Sequence, residues 1–508
     1  MPTPGKVYIT GAGPGDEKLI TLKALECIKI ADVVIYDYLV NVKFLDYCKP
    51  GCQKVYAGKK ASNHTLEQEV INETIVRYAL EGKTVVRLKG GDPYVFGRGG
   101  EEVLALVEKD IPFEVIPGIT SGIAVPSYAG IPVTHRDSGS TLTFITGHES
   151  IKKRESDVDY ETLAKLRGTL VFYMGVKNLS NIAQQLVHFG KRPETPVALI
   201  RWGTTSRQQT LTGTLADIAE KVEATGFKPP ALIVIGEAVG YRDQLLWFEK
   251  KPLFGKRIMV TRSRKQASKL SKGLADLGAD VVELPTIDIQ PCEDFTALDS
   301  SIQKLNTYGW VVFTSVNAVE IFMHRLYHHG KDTRALASCK LAVIGEETGA
   351  ELHKHGLCHD LLPEQYTSDS VIEAFRKNGS VKDCKVLLPT SEIAHDNIPN
   401  TLREMGAIVD VVPAYKNITP EYSTDYLAEL FSEPFDVVTF TSSSTVINLA
   451  ELLAKHGLQD KLAGIKGVSI GPITSKSAQY LSIDIVAEAK PHTINALVEA
   501  VVGYLKHT

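Results

Sequence analysis

The residues best suited to chemistry are concentrated between positions 87 and 102, Arg-Leu-Lys-Gly-Gly-Asp-Pro-Tyr-Val-Phe-Gly-Arg-Gly-Gly-Glu-Glu. Five glycines, Gly90, Gly91, Gly97, Gly99 and Gly100, stand among Asp92, Arg98 and Glu101. Glycine accepts positive φ and lets a ligand touch bare main chain. Asp92 precedes Pro93 and is thereby pushed toward an extended backbone. The chemistry implied is recognition by main-chain groups of something held close. A lone Gly-Gly-Asp between strand and helix is more often a plain connection. This stretch is long, and related pieces surround it.

The elements that must position it follow from hydrophobic patterning. A strand over 84–88 leads into the loop, and a helix beginning near Glu101 leaves it through Leu104, Leu106 and Val107. Upstream, the strand Val7-Tyr8-Ile9-Thr10 runs into Gly11-Ala12-Gly13-Pro14-Gly15-Asp16. The third glycine falls too early for a dinucleotide fingerprint and Pro14 interrupts it, which excludes a nicotinamide site. A helix over 22–30 follows, then the strand 33–36 ending on Asp37, a segment 55–60 carrying Lys59, and a helix over about 66–80. The strand 113–116 runs into Pro117-Gly118-Ile119-Thr120-Ser121. Strands alternating with helices predict a parallel α/β sheet, with ligand loops at the strands' C-terminal ends. A second α/β unit starts near Thr141, with strands at 142–148, 169–175, 196–200 and 231–236. The charged run 152–159 reads as a surface loop.

Bulk properties narrow the function classes. A chain of 508 residues exceeds one core, and roughly two to four domains are expected. A net charge of -4 argues against a nucleic-acid partner, which calls for a basic surplus. No apolar run reaches the ~18 residues of a membrane helix. The opening Met-Pro-Thr-Pro-Gly-Lys enters a strand without a signal-peptide apolar region. Seven cysteines without repeated spacing suggest reduced thiols, so a cytoplasmic protein is expected. Cys48 and Cys52 lack a second pair to complete a zinc site, and His353, His355 and His359 read as a solvated helix face, so no metal is expected.

The motif series Gly-Ala-Gly-Pro-Gly-Asp, Val-Val-Ile-Tyr-Asp, Gly-Lys-Lys, the 87–102 loop, Pro-Gly-Ile-Thr-Ser, Gly-Ile-Pro-Val-Thr-His-Arg, Thr-Gly-His, Phe-Tyr-Met-Gly and Arg-Trp-Gly-Thr resembles the uroporphyrinogen-III C-methyltransferases of the tetrapyrrole methylase family over about 4–248. The resemblance implies two α/β domains flanking a cleft, a homodimer formed through this half, and two methyl transfers from S-adenosylmethionine to uroporphyrinogen III. The products would be precorrin-2 and S-adenosylhomocysteine, on the sirohaem or cobalamin branch. By correspondence, Pro14, Gly90, Gly91, Asp92, Val95, Thr120, Ser121, Met174 and Gly203 would hold the donor. Arg98, Glu101, Arg136 and His148 would bind the substrate; the arginines would meet its carboxylates, and Glu101 would accept from pyrrole N–H groups. Asp37 and Lys59 match the family's proposed proton acceptor and donor. Taken alone, Asp37 reads more readily as a helix cap, Lys59 as a surface lysine and Met174 as core; the motif series favours the functional roles.

After Leu246-Trp247-Phe248, the polar segment 249–255 with Pro252 reads as a linker. The remainder repeats itself: Phe313-Thr-Ser recurs as Phe440-Thr-Ser and Gly345-x-x-Thr348 as Gly471-x-x-Thr474, offsets of 127 and 126 residues. A period this long indicates two duplicated domains and not a solenoid. Each copy ends strands in Ser or Thr ahead of helices, good N-caps whose helix starts attract carboxylates.

This half resembles uroporphyrinogen-III synthase through Arg257-Ile-Met-Val-Thr-Arg262, the two Phe-Thr-Ser segments, Leu387-Leu-Pro-Thr-Ser391, Val411-Val-Pro-Ala-Tyr415 and Ile470-Gly-Pro-Ile-Thr474. The resemblance implies two flavodoxin-like α/β lobes that cyclise hydroxymethylbilane with inversion of its last ring. Tyr415 would be the acid, or else a buried hinge tyrosine; Arg262, Ser315, Ser442 and Thr474 would bind carboxylates. The expected division is a methyltransferase at 1–250, with subdomains of about 1–138 and 139–250, and a synthase at 255–508. Its lobes would be about 255–288 plus 418–505, and about 290–414. A second half that binds tetrapyrrole without catalysis stays open.

Overall fold

The computed structural model describes residues 3–58, 68–147, 158–262, 264–364, 368–378, 381–392 and 397–506. Lys59 and His148 lie outside the described residues. The chain divides into two compact units, 1–257 with 274–280, and 258–273 with 281–508.

The first unit holds two five-stranded sheets. One comprises β1 (Val7–Gly11), β2 (Val33–Tyr36), β3 (Gln53–Tyr56), β4 (Val85–Lys89) and β5 (Phe113–Ile116) in the order β3-β2-β4-β1-β5. All its pairings are parallel. Alternate residues serve two cores. Val7, Ile9, Val33, Ile35 and Val85 pack on one face, and Val34, Val86 and Leu88 pack with Ile28 and Phe44 on the other. A sheet covered on both sides demands the continuous apolar runs seen in these strands. β4 departs from that rule, because Arg87 and Lys89 continue the face of Val85 and are both buried.

The second sheet comprises β6 (Leu142–Thr146), β7 (Thr169–Tyr173), β8 (Pro196–Arg201), β9 (Gln209–Thr214) and β10 (Ala231–Ile235), ordered β6-β7-β10-β8-β9. Only β6 and β7 run parallel; β10 is antiparallel to β7 and β8, and β9 is antiparallel to β8. The parallel arrangement expected and found in the first sheet therefore does not extend to this second α/β unit. β9 is polar and carries no apolar run to announce it. The connection 202–208 is too short for a crossover and closes a hairpin.

The second unit is also α/β. Its strands are β11 (Arg257–Val260), β12 (Asp280–Glu283), β13 (Asp288–Pro291), β14 (Trp310–Phe313), β15 (Lys340–Val343), β16 (Lys385–Ser391), β17 (Ile408–Ile418), β18 (Val437–Phe440), β19 (Lys466–Ser469) and β20 (Asp484–Glu488). One sheet is ordered β12-β11-β18-β19-β20 and the other β13-β17-β16-β14-β15. By order of appearance the first reads 2-1-3-4-5, the flavodoxin-like arrangement. The chain thus begins one lobe, builds the other over 288–418, and returns. The repeated strand pairs β14–β15 and β18–β19 lie side by side in their own sheets. Among the described residues, no helix is long and apolar enough to cross a membrane.

Candidate functional site

Strand ends of the first unit converge through backbone contacts. Gly91 N donates to Gly13 O at 2.7 Å and Gly13 N to Gly91 O at 3.2 Å, tying the Pro14 loop to the end of β4. A Cβ on Gly118 would stand 2.2 Å from Gly91 O and 2.8 Å from Gly11 Cα, so three strand ends meet where only glycine fits. Gly91 adopts φ +67, and its bare Cα faces Ser121 N and Thr120 Cα, which a Cβ would approach to 3.7 and 3.8 Å. Asp92 spends both oxygens on the loop, accepting from Tyr94 N at 2.8 Å and Gly118 N at 3.1 Å. Thr120 precedes the helix Ser121–Tyr128 without capping it through its side chain. Its hydroxyl instead contacts Tyr173 Oη at 2.6 Å, and Tyr173 also accepts from Gly122 N at 2.8 Å. Burial pushes the Tyr173 phenol up, against the lowering effect of these hydrogen bonds.

Met174 follows Tyr173 directly. Asp16 N donates to Thr204 Oγ1 at 3.1 Å, which brings Gly203 against the Pro14 loop. Val95 packs on the core that includes Val125 and Tyr173. Thus Pro14, Gly90, Gly91, Asp92, Val95, Thr120, Ser121, Met174 and Gly203, spread over the chain, gather around one patch.

Beside it lies a cleft of about 530 Å³ lined by Tyr94, Phe96, Arg98, Glu101, Thr146 and Met174, among others. Phe96, Arg98 and Met174 hold φ values of +54, +58 and +55. Non-glycine residues rarely adopt this region, and such strain collects at functional sites. The helix after the loop starts at Gly99, two residues before the sequence expectation. Arg98 and Glu101 meet each other: Nε to Oε1 at 2.9 Å and Nη2 to Oε2 at 2.7 Å. This fork holds the Glu101 carboxyl below its ordinary value. Arg136 is exposed in a turn outside the cleft lining.

Asp37, at the end of β2, does not cap a helix with its carboxylate; Asn41 caps the next turn. It accepts from Arg87 Nη2 at 2.5 Å. Arg87, Lys89 and Glu102 are 2%, 3% and 1% exposed. Sequence reasoning passed over these three. The available signal was a pair of cations two residues apart in a buried strand, since buried charges must be paired. Burial works against the Arg87 charge, but Glu102 and Asp37 outweigh it. The Lys89 amine is pushed down, by burial first and then by Arg87.

In the second unit, Ser315 caps the helix Val316–His328, accepting from Ala318 N at 3.1 Å. The same hydroxyl meets Tyr415 Oη at 3.0 Å. Tyr415 lies on β17, 8% exposed, and burial raises its phenol while Ser315 lowers it. Ser442 caps Ser443–Lys455 in a reciprocal box with Thr445. Thr474 is buried in the first turn of Pro472–Tyr480, behind Gly471. Arg262 lies 3.6 Å from Glu347, and burial lowers its guanidinium despite that partner. The structure brings Ser315 and Tyr415 into contact; Arg262 and Ser442 make separate contacts.

Residues 6–219 match the family described as tetrapyrrole (corrin/porphyrin) methylases. Residues 268–499 match uroporphyrinogen-III synthase HemD. The porphyrin biosynthesis protein HemD of Ruminiclostridium josui is 36% identical over 97% of this chain and 97% of its own. A uroporphyrinogen-III C-methyltransferase of Bacillus subtilis (strain 168) is 47% identical over 69% of this chain and 72% of its own. The S-adenosyl-L-methionine-dependent uroporphyrinogen III methyltransferase of Methanosarcina barkeri is 55% identical over 47% of this chain and 94% of its own.

Proposed function

The chain belongs to the family that joins a tetrapyrrole methylase to a uroporphyrinogen-III synthase, and from that premise we propose a bifunctional enzyme. It cyclises hydroxymethylbilane to uroporphyrinogen III and methylates that product twice, giving precorrin-2 on the sirohaem or cobalamin branch. The observation that carries the reading is the likeness to one relative along 97% of both chains.

The first half fits S-adenosylmethionine: the loops of Pro14, Gly91, Thr120 and Gly203 form one patch, and Gly91 offers bare backbone at φ +67. When bound, the donor supplies an electrophilic methyl group and a neutral thioether leaving group. The protein's contribution is alignment of reactants and exclusion of water. Arg98 binds a substrate carboxylate by exchanging Glu101 for it, which frees Glu101 to accept from pyrrole N–H groups. Arg136 and His148 complete the substrate contacts. Asp37 takes up a proton and Lys59 supplies one.

In the second half, Tyr415 protonates the departing hydroxyl of hydroxymethylbilane, oriented by Ser315. The resulting cationic azafulvene closes through a spiro intermediate. Arg262, Ser442 and Thr474 hold side-chain carboxylates. The two activities divide near residue 250, the methyltransferase half pairs with a second copy, and the protein works in the cytoplasm.

The test is incubation of the purified protein with hydroxymethylbilane, with and without S-adenosylmethionine, followed by isomer and mass analysis. Uroporphyrinogen III is expected without the donor and a dimethylated product with it. Only the uninverted isomer would leave the second half as a tetrapyrrole-binding module. Isomer III without methylation would remove the methyltransferase reading alone.

A further inference from the structure

Beneath Asp37 lies a group of charges that the proposed mechanism leaves unused. Arg87 Nε donates to Glu102 Oε1 at 2.9 Å and its Nη2 to Asp37 Oδ1 at 2.5 Å. Its Nη1 reaches the carbonyls of Ile35 and Leu88, each at 3.4 Å. Lys89 Nζ donates to the same Glu102 oxygen at 2.8 Å and stands 4.0 Å from Asp37 Oδ2. Three members are almost fully buried, whereas the Asp37 side chain is 29% exposed. Only Asp37 faces outward, at the C-terminal edge of a parallel sheet, where such folds bind ligands.

Stability alone does not account for this arrangement. Buried ion pairs are often replaced by apolar residues without loss, so they are weak evidence for stability. Here Glu102 Oε2 is buried without a hydrogen-bond partner among the described residues, while Oε1 serves both cations. The group is arranged around the direction of the guanidinium fork and not around full use of the Glu102 carboxylate. A planar guanidinium pinned at Nε and Nη1 leaves Nη2 two fixed in-plane directions in which to donate, one of them taken by Asp37 Oδ1. That direction sets the plane and position of the Asp37 carboxylate.

We infer that Arg87, clamped by Glu102 with Lys89 alongside, is a positioning residue that aims the Asp37 carboxylate at the proton it removes during methyl transfer. The inference rests on the reading of Asp37 as proton acceptor. In that step a pyrrole carbon forms a bond to the methyl carbon and the donor sulfur keeps the electron pair of the broken C–S bond. The ring system, now cationic, returns to neutrality by giving a proton to Asp37.

The test uses full-length protein, uroporphyrinogen III and S-adenosylmethionine, with kcat, KM and S-adenosylhomocysteine affinity measured for D37N, R87Q and R87K. D37N should lower kcat about 100-fold, the scale of a lost general base. R87Q should lower kcat by about 10- to 100-fold through misplacement of that base, with KM and S-adenosylhomocysteine affinity unchanged. R87K should recover part of the loss, because lysine keeps the charge but not the fork. A wild-type kcat in R87Q beside a slow D37N overturns the positioning role and leaves Asp37 as acceptor. A wild-type kcat in D37N removes the acceptor reading, and the inference with it. Should R87Q fail to fold, the joint change R87M, K89M and E102M removes the three buried charges together; folded protein with wild-type kcat would equally overturn the inference.

Discussion

The two halves hold their candidate site residues by opposite means. In the first, atoms are fixed by backbone packed on backbone, with Gly11, Gly91 and Gly118 in mutual contact, and by ion pairs that reach into the sheet. In the second, the candidate residues are helix-capping hydroxyls, Ser315 and Ser442, and a buried phenol. The difference fits the proposed chemistry. Methyl transfer between a carbon nucleophile and a thioether donor depends on alignment, which glycine contacts and buried charges hold rigid. Cyclisation of a chain bearing many carboxylates needs a grip on anions, which helix starts supply with few side chains. The internal repeat then provides the same device twice.

The largest expected effect breaks the rigid half. In G118V the new Cβ would fall 2.2 Å from Gly91 O, and backbone cannot yield as a side chain can. Overpacking of this kind should cost about 3 kcal/mol and abolish S-adenosylhomocysteine binding by isothermal titration. Cyclisation of hydroxymethylbilane by the same protein should survive. Loss of both activities would show that the halves do not behave separately. The matching change in the second half, G464A, meets nothing within 4 Å and should be silent in every assay.

Next in size are changes that separate cap from catalyst. Y415F removes the phenol hydroxyl but leaves Ser315 bonded to Ala318 N, so stability should hold while isomer III formation slows about 100-fold, the scale of general acid catalysis. S315A loses both contacts and should add a capping loss of about 1 kcal/mol. S442A should show the capping loss together with a raised KM and an unchanged kcat. Equal kcat losses in S315A and S442A would contradict a special role for the Tyr415 contact.

A smaller effect concerns the Arg98–Glu101 fork. R98L should weaken uroporphyrinogen III binding about tenfold, the loss of one charge-assisted hydrogen bond, with S-adenosylhomocysteine affinity intact. E101Q releases Arg98 from its internal partner, so its KM should move much less than that of R98L. Parallel losses in the two variants would argue that the fork itself, and not a freed Arg98, meets the substrate.

The smallest effect concerns the carboxylate of Glu249. Glu249 accepts from Arg242 at 2.5 Å, Thr210 at 2.7 Å and Gln208 at 2.8 Å. Burial pushes its carboxyl up, but these partners outweigh it and the net direction is down. A depressed folded value means a contribution present above the unfolded carboxylate value of about 4.3 and lost as pH falls through the folded one. The Tm difference between wild type and E249Q should therefore be largest near neutrality and shrink below about pH 4.3. A difference growing toward acid would reverse the sign.

Much of this protein was legible in the order of its residues. Continuous apolar strands, the glycine loop and the two Phe-Thr-Ser repeats are local patterns, and local patterns determine which segments form strands and which positions start helices. The family followed from the same motifs. What only the tertiary structure decided concerns pairs far apart in the chain. The polar strand β9 was not announced by any apolar run, and the direction of β10 was hidden because periodicity reports a strand but not its neighbour. The pairing of Arg98 with Glu101 could not be read from the separate roles of the two residues. Arg87, Lys89 and Glu102 were missed because a charge in a strand gains meaning only when the helix facing it is known. Asp37 and Arg87 are 50 positions apart, Ser315 and Tyr415 are 100 apart, and each pair touches because parallel strands bring their C-terminal ends to one edge of a sheet. Residue types settle which groups are available for chemistry; the register of strands and the burial of charge settle which of them act on one another.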